Sequence, residues 1–222
     1  MLHLTLALAA FVGTHLLMSH PLRAPMVARL GPGGFQGVYS LVSFATLGWS
    51  VYAFREAPIG VPLWQAGDAL NIASTATMFV ASVLLAGSFI GNPALPQPGA
   101  AKLAMQTPSG VFAITRHPMM WSFALWSVAH VLVSPRPAVV LLSGAIALLA
   151  LLGAAGQDVK KAKLMGESWT IWTSKTSFIP YAHGWAWPGQ IALIGGTLLW
   201  LVATWVHPLA GAPPAGIWLW LS

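Results

Sequence analysis

The sequence predicts an all-α protein, a polytopic membrane helix bundle of about six transmembrane helices, and two observations indicate this class. Hydrophobic residues make up 57% of the chain and charged residues only 6%, and the mean hydropathy is +0.73. In an ordinary soluble domain, charged residues are nearer a quarter of the total. Apolar runs of membrane-spanning length also recur along the chain between polar connections. We therefore expect one integral membrane domain over residues 1–222.

The spans are predicted from these runs in chain order. No Lys or Arg precedes the first run, unlike a secretory signal, so we expect it to be retained as a helix. Glycines within 31–34 predict a turn before the second run, and the proline- and glycine-rich segment 91–110 predicts a loop before the fourth. Pro118 suits the first turn of the fourth helix, where its missing N–H needs no partner. The predicted spans are about residues 2–18, 36–54, 70–90, 118–134, 138–156 and 189–206.

The distribution of charge predicts the orientation. Eight of the ten Lys and Arg fall in the first, third and fifth connections between these spans. The positive-inside rule makes that side cytoplasmic, so six spans would place both termini outside the cytoplasm of a bacterial inner membrane. The basic residues are scattered between apolar runs, so we expect membrane lipid and not nucleic acid as a partner. The sequence has no cysteine, which excludes thiolate-held cofactors.

The segment 114–130, ITRHPMMWSFALWSVAH, contains the candidate functional residues of the fourth span. It has a basic pair at its start, Arg116 and His117, and a second histidine, His130, near its end. The two histidines are roughly 20 Å apart along a helix that rises about 1.5 Å per residue, and they lie on different faces. Trp126 shares the face of His130. An ionisable side chain inside a membrane is a functional hypothesis by default, and the alternative is a hydrogen bond to a neighbouring helix.

The polar connection between spans five and six, residues 157–187, is predicted to contain a cytoplasmic amphipathic segment. Its Leu164, Trp169 and Trp172 would lie in the headgroup region while neighbouring lysines meet anionic lipid. A second prediction is that Asp158, at the end of span five, reaches the basic pair and orients it, since a carboxylate commonly holds an imidazole or guanidinium.

Three stretches carry a resemblance to a known family: HLLMSHPLR from His15, the ITRHP segment just described, and DVKKAKLMGESWTIWTSKTSFIPY from Asp158. In this order between apolar spans they resemble the NnrU family, which groups bacterial proteins encoded with denitrification genes and the zeta-carotene isomerase of plants and cyanobacteria. The resemblance implies a haem b held between helices, with His15 and His130 as iron ligands. It also implies a role in nitrogen-oxide metabolism or its electron transfer.

The ligand geometry that this resemblance implies leaves a question open. Two imidazoles from different helices suit a haem iron in a protein without cysteine. On the simple span assignment, His15 and His130 differ in depth by roughly 10 Å at about 1.5 Å per residue. His117 is therefore kept in reserve as a ligand. The residues expected to bind the cofactor are His15, Arg116, His117, Trp126, His130 and Asp158.

For the haem-binding function just described, a redox partner is expected. Two other functions stay open beside it. The likeness to zeta-carotene isomerase implies a haem-dependent cis–trans isomerase acting on a lipophilic polyene. The RHPM at 116–119 and the later FIPY also resemble the membrane methyltransferases of the isoprenylcysteine carboxyl class, which bind S-adenosylmethionine. A Glu-Glu pair is expected in that class where this chain has Gln157 and Asp158, so methyl transfer is the least favoured of the three.

Overall fold

The computed structural model describes residues 1–95 and 97–221, and within those ranges it contains helices and no strand. This confirms the predicted all-α class. The helices are α1 (Leu2–Ser19), α2 (Arg23–Arg55), α3 (Asp68–Gly87), α4 (Ala100–Met105), α5 (Val111–Ile114), α6 (Pro118–Val133), α7 (Pro137–Met165), α8 (Glu167–Lys175) and α9 (Gln190–Trp205), with short 3-10 turns at Pro208–Ala210 and Gly216–Trp220.

Each predicted span coincides with one apolar helix. Helices α1, α2, α3 and α7 are long and apolar enough to cross a membrane. Helices α6 and α9 are apolar but shorter, with 16 residues each. Large apolar side chains such as Leu41, Phe44 and Ile191 are exposed on these helices. An apolar exterior of this extent is the surface of a membrane protein.

Helix α2 is longer than the predicted second span, which began at about residue 36. Inside it, Gly31 has a non-helical backbone, with φ 70° and ψ 169°, and the helix resumes at Pro32. Glycine adopts a positive φ without a Cβ clash, and proline is favoured in the first turn of a helix. The turn predicted at 31–34 is therefore a kink at Gly31 between two helical pieces.

Helix α7 extends nine residues beyond the predicted end at 156. It has 29 residues, so it is roughly 43 Å long, whereas the apolar core of a bilayer is about 30 Å thick. We therefore expect its charged last turns to extend beyond the apolar core. The polar residues after 156 were expected to form the connection, but Gln, Lys, Ala, Leu and Met are all good helix formers, and the helix ends only at Gly166, where φ is 55°.

The helices pack in the order α2, α1, α7, α6, α3 and α9, because each of these helices has its main contacts with its neighbours in this series. Helix α7 thus lies between α1 and α6. The contact between α3 and α9 is very close, since a Cβ on Gly196 would collide with the backbone of Val83. Small residues allow this kind of backbone approach between helices in a membrane.

The two tryptophans of α8 pack into the protein and do not face lipid headgroups as predicted. Trp169 and Trp172 of α8 are almost fully buried, with 1% and 3% of their surface exposed, whereas Leu164 is 58% exposed. Both indoles join an apolar cluster with Phe112 and Ile114 beside the start of α6. The prediction for the tryptophans is therefore wrong, because burying two indoles against protein removes more apolar surface than leaving them at an interface.

Candidate functional site

The backbone before α6 is held in an extended conformation by the segment that follows α8. The Arg116 N–H donates to the carbonyl of Ser177 at 2.9 Å, and the Tyr181 N–H donates to the carbonyl of Ile114 at 3.0 Å. The hydroxyl of Thr115 donates to the carbonyl of Phe178 at 2.7 Å. These contacts fix the basic pair at the start of α6 against a stretch that lies about 60 residues later in the chain.

Asp158 of α7 binds the guanidinium of Arg116 with both of its oxygens. The Arg116 Nε lies 2.9 Å from Oδ2 and 3.1 Å from Oδ1, and one Nη lies 2.7 Å from Oδ2. The other Nη donates to the carbonyl of Thr176 at 3.2 Å. A paired guanidinium–carboxylate contact is among the strongest hydrogen-bonded arrangements in proteins. The predicted approach of Asp158 to the basic pair is thus present in the structure.

His117 is enclosed by the same group of residues, and its side chain has 0% of its surface exposed. Its Nε2 lies 2.9 Å from Asp158 Oδ1, and because a carboxylate only accepts, Nε2 donates. Its Nδ1 lies 3.2 Å from the side-chain oxygen of Gln157. Both ring nitrogens therefore face partners on α7, and neither is open to ligate a metal. His117 is disfavoured as the reserve ligand.

Aromatic side chains close this cluster. The ring of Phe178 lies 5.4 Å from the Arg116 guanidinium carbon and 5.2 Å from the centre of the His117 ring. The Trp121 indole N–H donates to the carbonyl of Phe178 at 2.8 Å. We name the set formed by Arg116, His117, Gln157, Asp158 and Phe178 the ion-pair junction. It ties α6, α7 and the segment after α8 together.

His130 has a different environment, twelve residues into α6. Its Nδ1 lies 2.8 Å from the carbonyl oxygen of Trp126, which can only accept, so Nδ1 carries the proton. Nε2 has no hydrogen-bond partner within the described part of the chain. The Trp126 ring lies over the imidazole with 3.9 Å between ring centres, as their shared face predicted. The nearest other imidazole is His207, with 6.2 Å between ring centres.

His15 on α1 has the same local hydrogen bond as His130. Its Nδ1 donates to the carbonyl oxygen of Phe11 at 2.8 Å, and Nε2 has no partner in the ranges that the structure describes. The rings of Phe11 and Tyr39 surround it, with centres 4.3 Å and 5.5 Å away. Donation of one ring nitrogen to a carbonyl is the usual way in which a protein orients a metal-ligating histidine.

Within the described residues, no ring contact joins His15 to His130. His20 packs on Gly156 of α7, and His117 contacts Asp158 of the same helix. His20 and His117 are therefore at about the same level along α7. His15 is five residues from His20 and His130 is thirteen residues from His117. The two imidazoles therefore differ in depth by roughly 12 Å at about 1.5 Å per residue, and α7 lies between their helices.

Sequence reasoning missed four participants. Ser177 and Phe178 accept hydrogen bonds through backbone carbonyls, which every residue carries, so these contacts had no sequence signal. Gln157 was noted only as a departure from a methyltransferase pattern, and its spacing beside Asp158 was the available signal. The contact of His207 with His130 depends on how α9 packs, which no sequence pattern indicates.

The available donors suit a haem iron better than a free metal ion. Among residues 1–95 and 97–221, no group of three or more His, Asp or Glu is arranged to hold a metal ion. A haem iron needs only one or two imidazoles with an available nitrogen. His15 and His130 each offer that nitrogen, so the chemistry of each fits a haem iron, whereas their placement does not fit two ligands of one iron.

Comparison with known proteins gives one result that covers nearly the whole chain. A family model described as NnrU protein matches residues 3–214. The chain belongs to the NnrU family. No curated protein and no solved structure matches it. Membership of this family makes the chain a membrane protein associated with denitrification.

Proposed function

We propose that this NnrU protein binds haem b in the bacterial inner membrane, with both termini outside the cytoplasm, and serves nitrogen-oxide metabolism or its electron transfer. The observation that carries the proposal is the state of the two membrane histidines. In His15 and in His130, the proton sits on Nδ1 and the lone pair on Nε2 is available. When bound, a haem b would supply a one-electron redox centre.

His130 is the first ligand in this proposal. Its ring is stacked on Trp126, which restricts its rotation, and its Nδ1 is fixed by the backbone. The second ligand is either His207, whose ring is already close, or His15, which the family resemblance implies. Ligation by His15 requires α1 to move relative to α6, since the two imidazoles differ in depth.

An optical spectrum of the detergent-purified protein, expressed with ample haem, tests this proposal. We expect a Soret band that shifts on reduction and a stoichiometric haem content. His130→Ala should lower the haem content severalfold, and the second ligand is whichever of His207→Ala and His15→Ala has a similar effect. His183→Ala is the matched control, because His183 lies on an exposed loop.

Two results would reject the proposal. One is wild-type protein without Soret absorbance after expression with ample haem. The other is full haem retention by all three of His130→Ala, His207→Ala and His15→Ala, which would mean that none of the proposed imidazoles holds the cofactor. A fold check by size-exclusion chromatography separates ligand loss from unfolding.

A second candidate function, polyene isomerisation, has one structural observation in its favour. An apolar groove of about 400 Å³ runs along α3 and α9 and is lined by Phe79, Trp200 and Trp220 among others. Such a lining suits a lipophilic chain. Reduced protein that leaves the isomer composition of cis-zeta-carotene unchanged would reject this function.

Methyl transfer is not favoured by the geometry of the junction. Both oxygens of Asp158 already bind Arg116 and His117, and the adjacent position is the neutral Gln157. The carboxylates that would be expected near S-adenosylmethionine are therefore either occupied or missing. We expect no binding when S-adenosylmethionine is titrated into the purified protein.

A further inference from the structure

A groove of about 470 Å³ lies between the turn after α1 and the last turns of α7. Arg23 lines it from the start of α2, and Lys160 and Lys163 line it from α7. The α7 residues in the groove fall at positions 156, 159, 160, 163 and 164, which is the spacing of one helix face. We name this the basic groove.

The positive charge of the basic groove has no carboxylate to balance it. Asp158 lies on the opposite face of α7, where it binds Arg116 and His117. Within the described ranges, no Asp or Glu lies within ion-pair distance of Arg23, Lys160 or Lys163. Three cations that converge without a counter-charge repel one another, so an anion bound between them would be stabilised.

His20 forms part of the wall of the basic groove. Its ring packs directly against Gly156, where a Cβ would collide with the imidazole. Burial lowers the pKa of His20, and the positive charge of Lys160 lowers it further. The smaller contribution of Lys160 to this lowering of the pKa is consistent with a positive potential in the groove.

The edge of the basic groove is apolar. Val159 and Leu164 line it and are 60% and 58% exposed. The groove also lies along the charged last turns of α7, where we expect the helix to leave the apolar core at the depth of the lipid phosphates. A soluble anion gains nothing from exposed aliphatic side chains, whereas a lipid covers them with its acyl chain while its phosphate meets the cations.

We propose that the basic groove binds the phosphate of an anionic membrane lipid between Arg23, Lys160 and Lys163, with the acyl chain against Val159 and Leu164. This site is separate from the ion-pair junction and from the proposed haem ligands, and it does not depend on them. Lipid held there bridges the α1–α2 turn and α7. It therefore stabilises the contact between α1 and α7.

The test uses the full-length protein in detergent and counts bound lipid by native mass spectrometry. Phosphatidylglycerol and the zwitterionic phosphatidylcholine are added separately, and the thermal unfolding temperature is recorded with each. We expect preferential binding of phosphatidylglycerol and a higher unfolding temperature with that lipid. Arg23→Gln/Lys160→Gln should weaken phosphatidylglycerol binding by about tenfold or more.

The matched control is Arg29→Gln/Lys102→Gln, which removes the same charge from two exposed positions outside the groove. It should bind phosphatidylglycerol as the wild type does. Because the double variant in the groove could fail to fold, Lys163→Glu provides a second test at an exposed side chain, with Lys102→Glu as its control.

Three results would overturn the proposal. The first is equal binding of phosphatidylglycerol and phosphatidylcholine. The second is equal loss of phosphatidylglycerol binding in the groove variants and in their controls, which would indicate general surface charge. The third is protection by inorganic phosphate as strong as that by phosphatidylglycerol and lost in Lys163→Glu, which would identify a soluble phosphate as the occupant.

Discussion

The two ends of α6 carry the same residue type in opposite situations. At the start of the helix, the His117 ring is fully enclosed and both of its nitrogens face partners on α7. Toward the other end, His130 has one nitrogen fixed by its own helix and one without a partner in the described part of the chain. Both ring nitrogens of His117 contact other protein groups, whereas Nε2 of His130 is available to a ligand.

This difference shows how structural and ligand-binding histidines can be separated on one helix. Both are intramembrane or near-membrane imidazoles, and the sequence motif contains both. What distinguishes them is the number of ring nitrogens that the protein itself satisfies. The comparison predicts that changes at the junction lower stability, whereas changes at His130 lower ligand binding with a smaller effect on stability.

The largest effect should come from Asp158→Ala. Removing this carboxylate leaves the Arg116 guanidinium and the buried His117 without their shared partner, and we expect a loss of about 3 kcal/mol in the free energy of unfolding. Denaturation of the detergent-purified protein measures it. Glu167→Ala, which removes an exposed carboxylate, should change it little. Equal effects of the two substitutions would mean that the junction does not hold the fold together.

His117→Ala sharpens the comparison directly, because it can be set beside His130→Ala. We expect His117→Ala to cost about 2 kcal/mol of unfolding free energy through the unpaired Gln157 and Asp158 and the lost ring volume. Haem content per folded protein should not change. Unfolding free energy and haem content, measured on both variants, should therefore change in opposite patterns. If His117→Ala abolished haem binding in folded protein, the distinction between the two ends would be wrong.

A smaller effect is expected for Arg116→Lys. Lysine keeps the charge but cannot reproduce the two-point contact with Asp158 or reach the Thr176 carbonyl at the same time. We expect a loss of about 1–2 kcal/mol in the free energy of unfolding. Arg29→Lys, at an exposed position, is the control. If Arg116→Lys left the free energy of unfolding unchanged, charge attraction alone would account for the stability of the junction.

The smallest effect belongs to the His130 end of α6. The hydroxyl of Ser74 on α3 donates to the carbonyl of Ala129 at 3.0 Å. Ser74→Ala should cost about 0.6 kcal/mol, the usual value of a hydrogen bond between membrane helices. Thr77→Ala serves as control, since its hydroxyl bonds within its own helix. A loss above that of Arg116→Lys would reverse the ranking of the two ends.

The sequence supported the correct helices and one correct tertiary contact. Apolar runs set the six helices, because the requirement to shield backbone groups from lipid leaves little choice of structure. The contact of Asp158 with Arg116 and His117 was predictable, because a carboxylate attracts basic side chains at the same edge of the membrane. The overlong α7 was not, since its basic end reads equally well as a loop.

Side-chain surroundings were less predictable than elements. The burial of Trp169 and Trp172 depends on how α8 folds back onto the start of α6, and no local pattern specifies that. The carbonyls of Ser177 and Phe178 hold the basic pair through groups that carry no residue signature. The haem ligands rest on a family resemblance. Which histidines can meet depends on which helices are neighbours in the bundle, and the sequence does not give that order.

The tight crossing of α9 over α3 limits how molecules in the bilayer can approach the interior. Where Gly196 lies against Val83, the two backbones leave no gap that an acyl chain or polyene could pass sideways. At that level the crossing is a barrier, so a hydrophobic guest can pass between these two helices only above or below it.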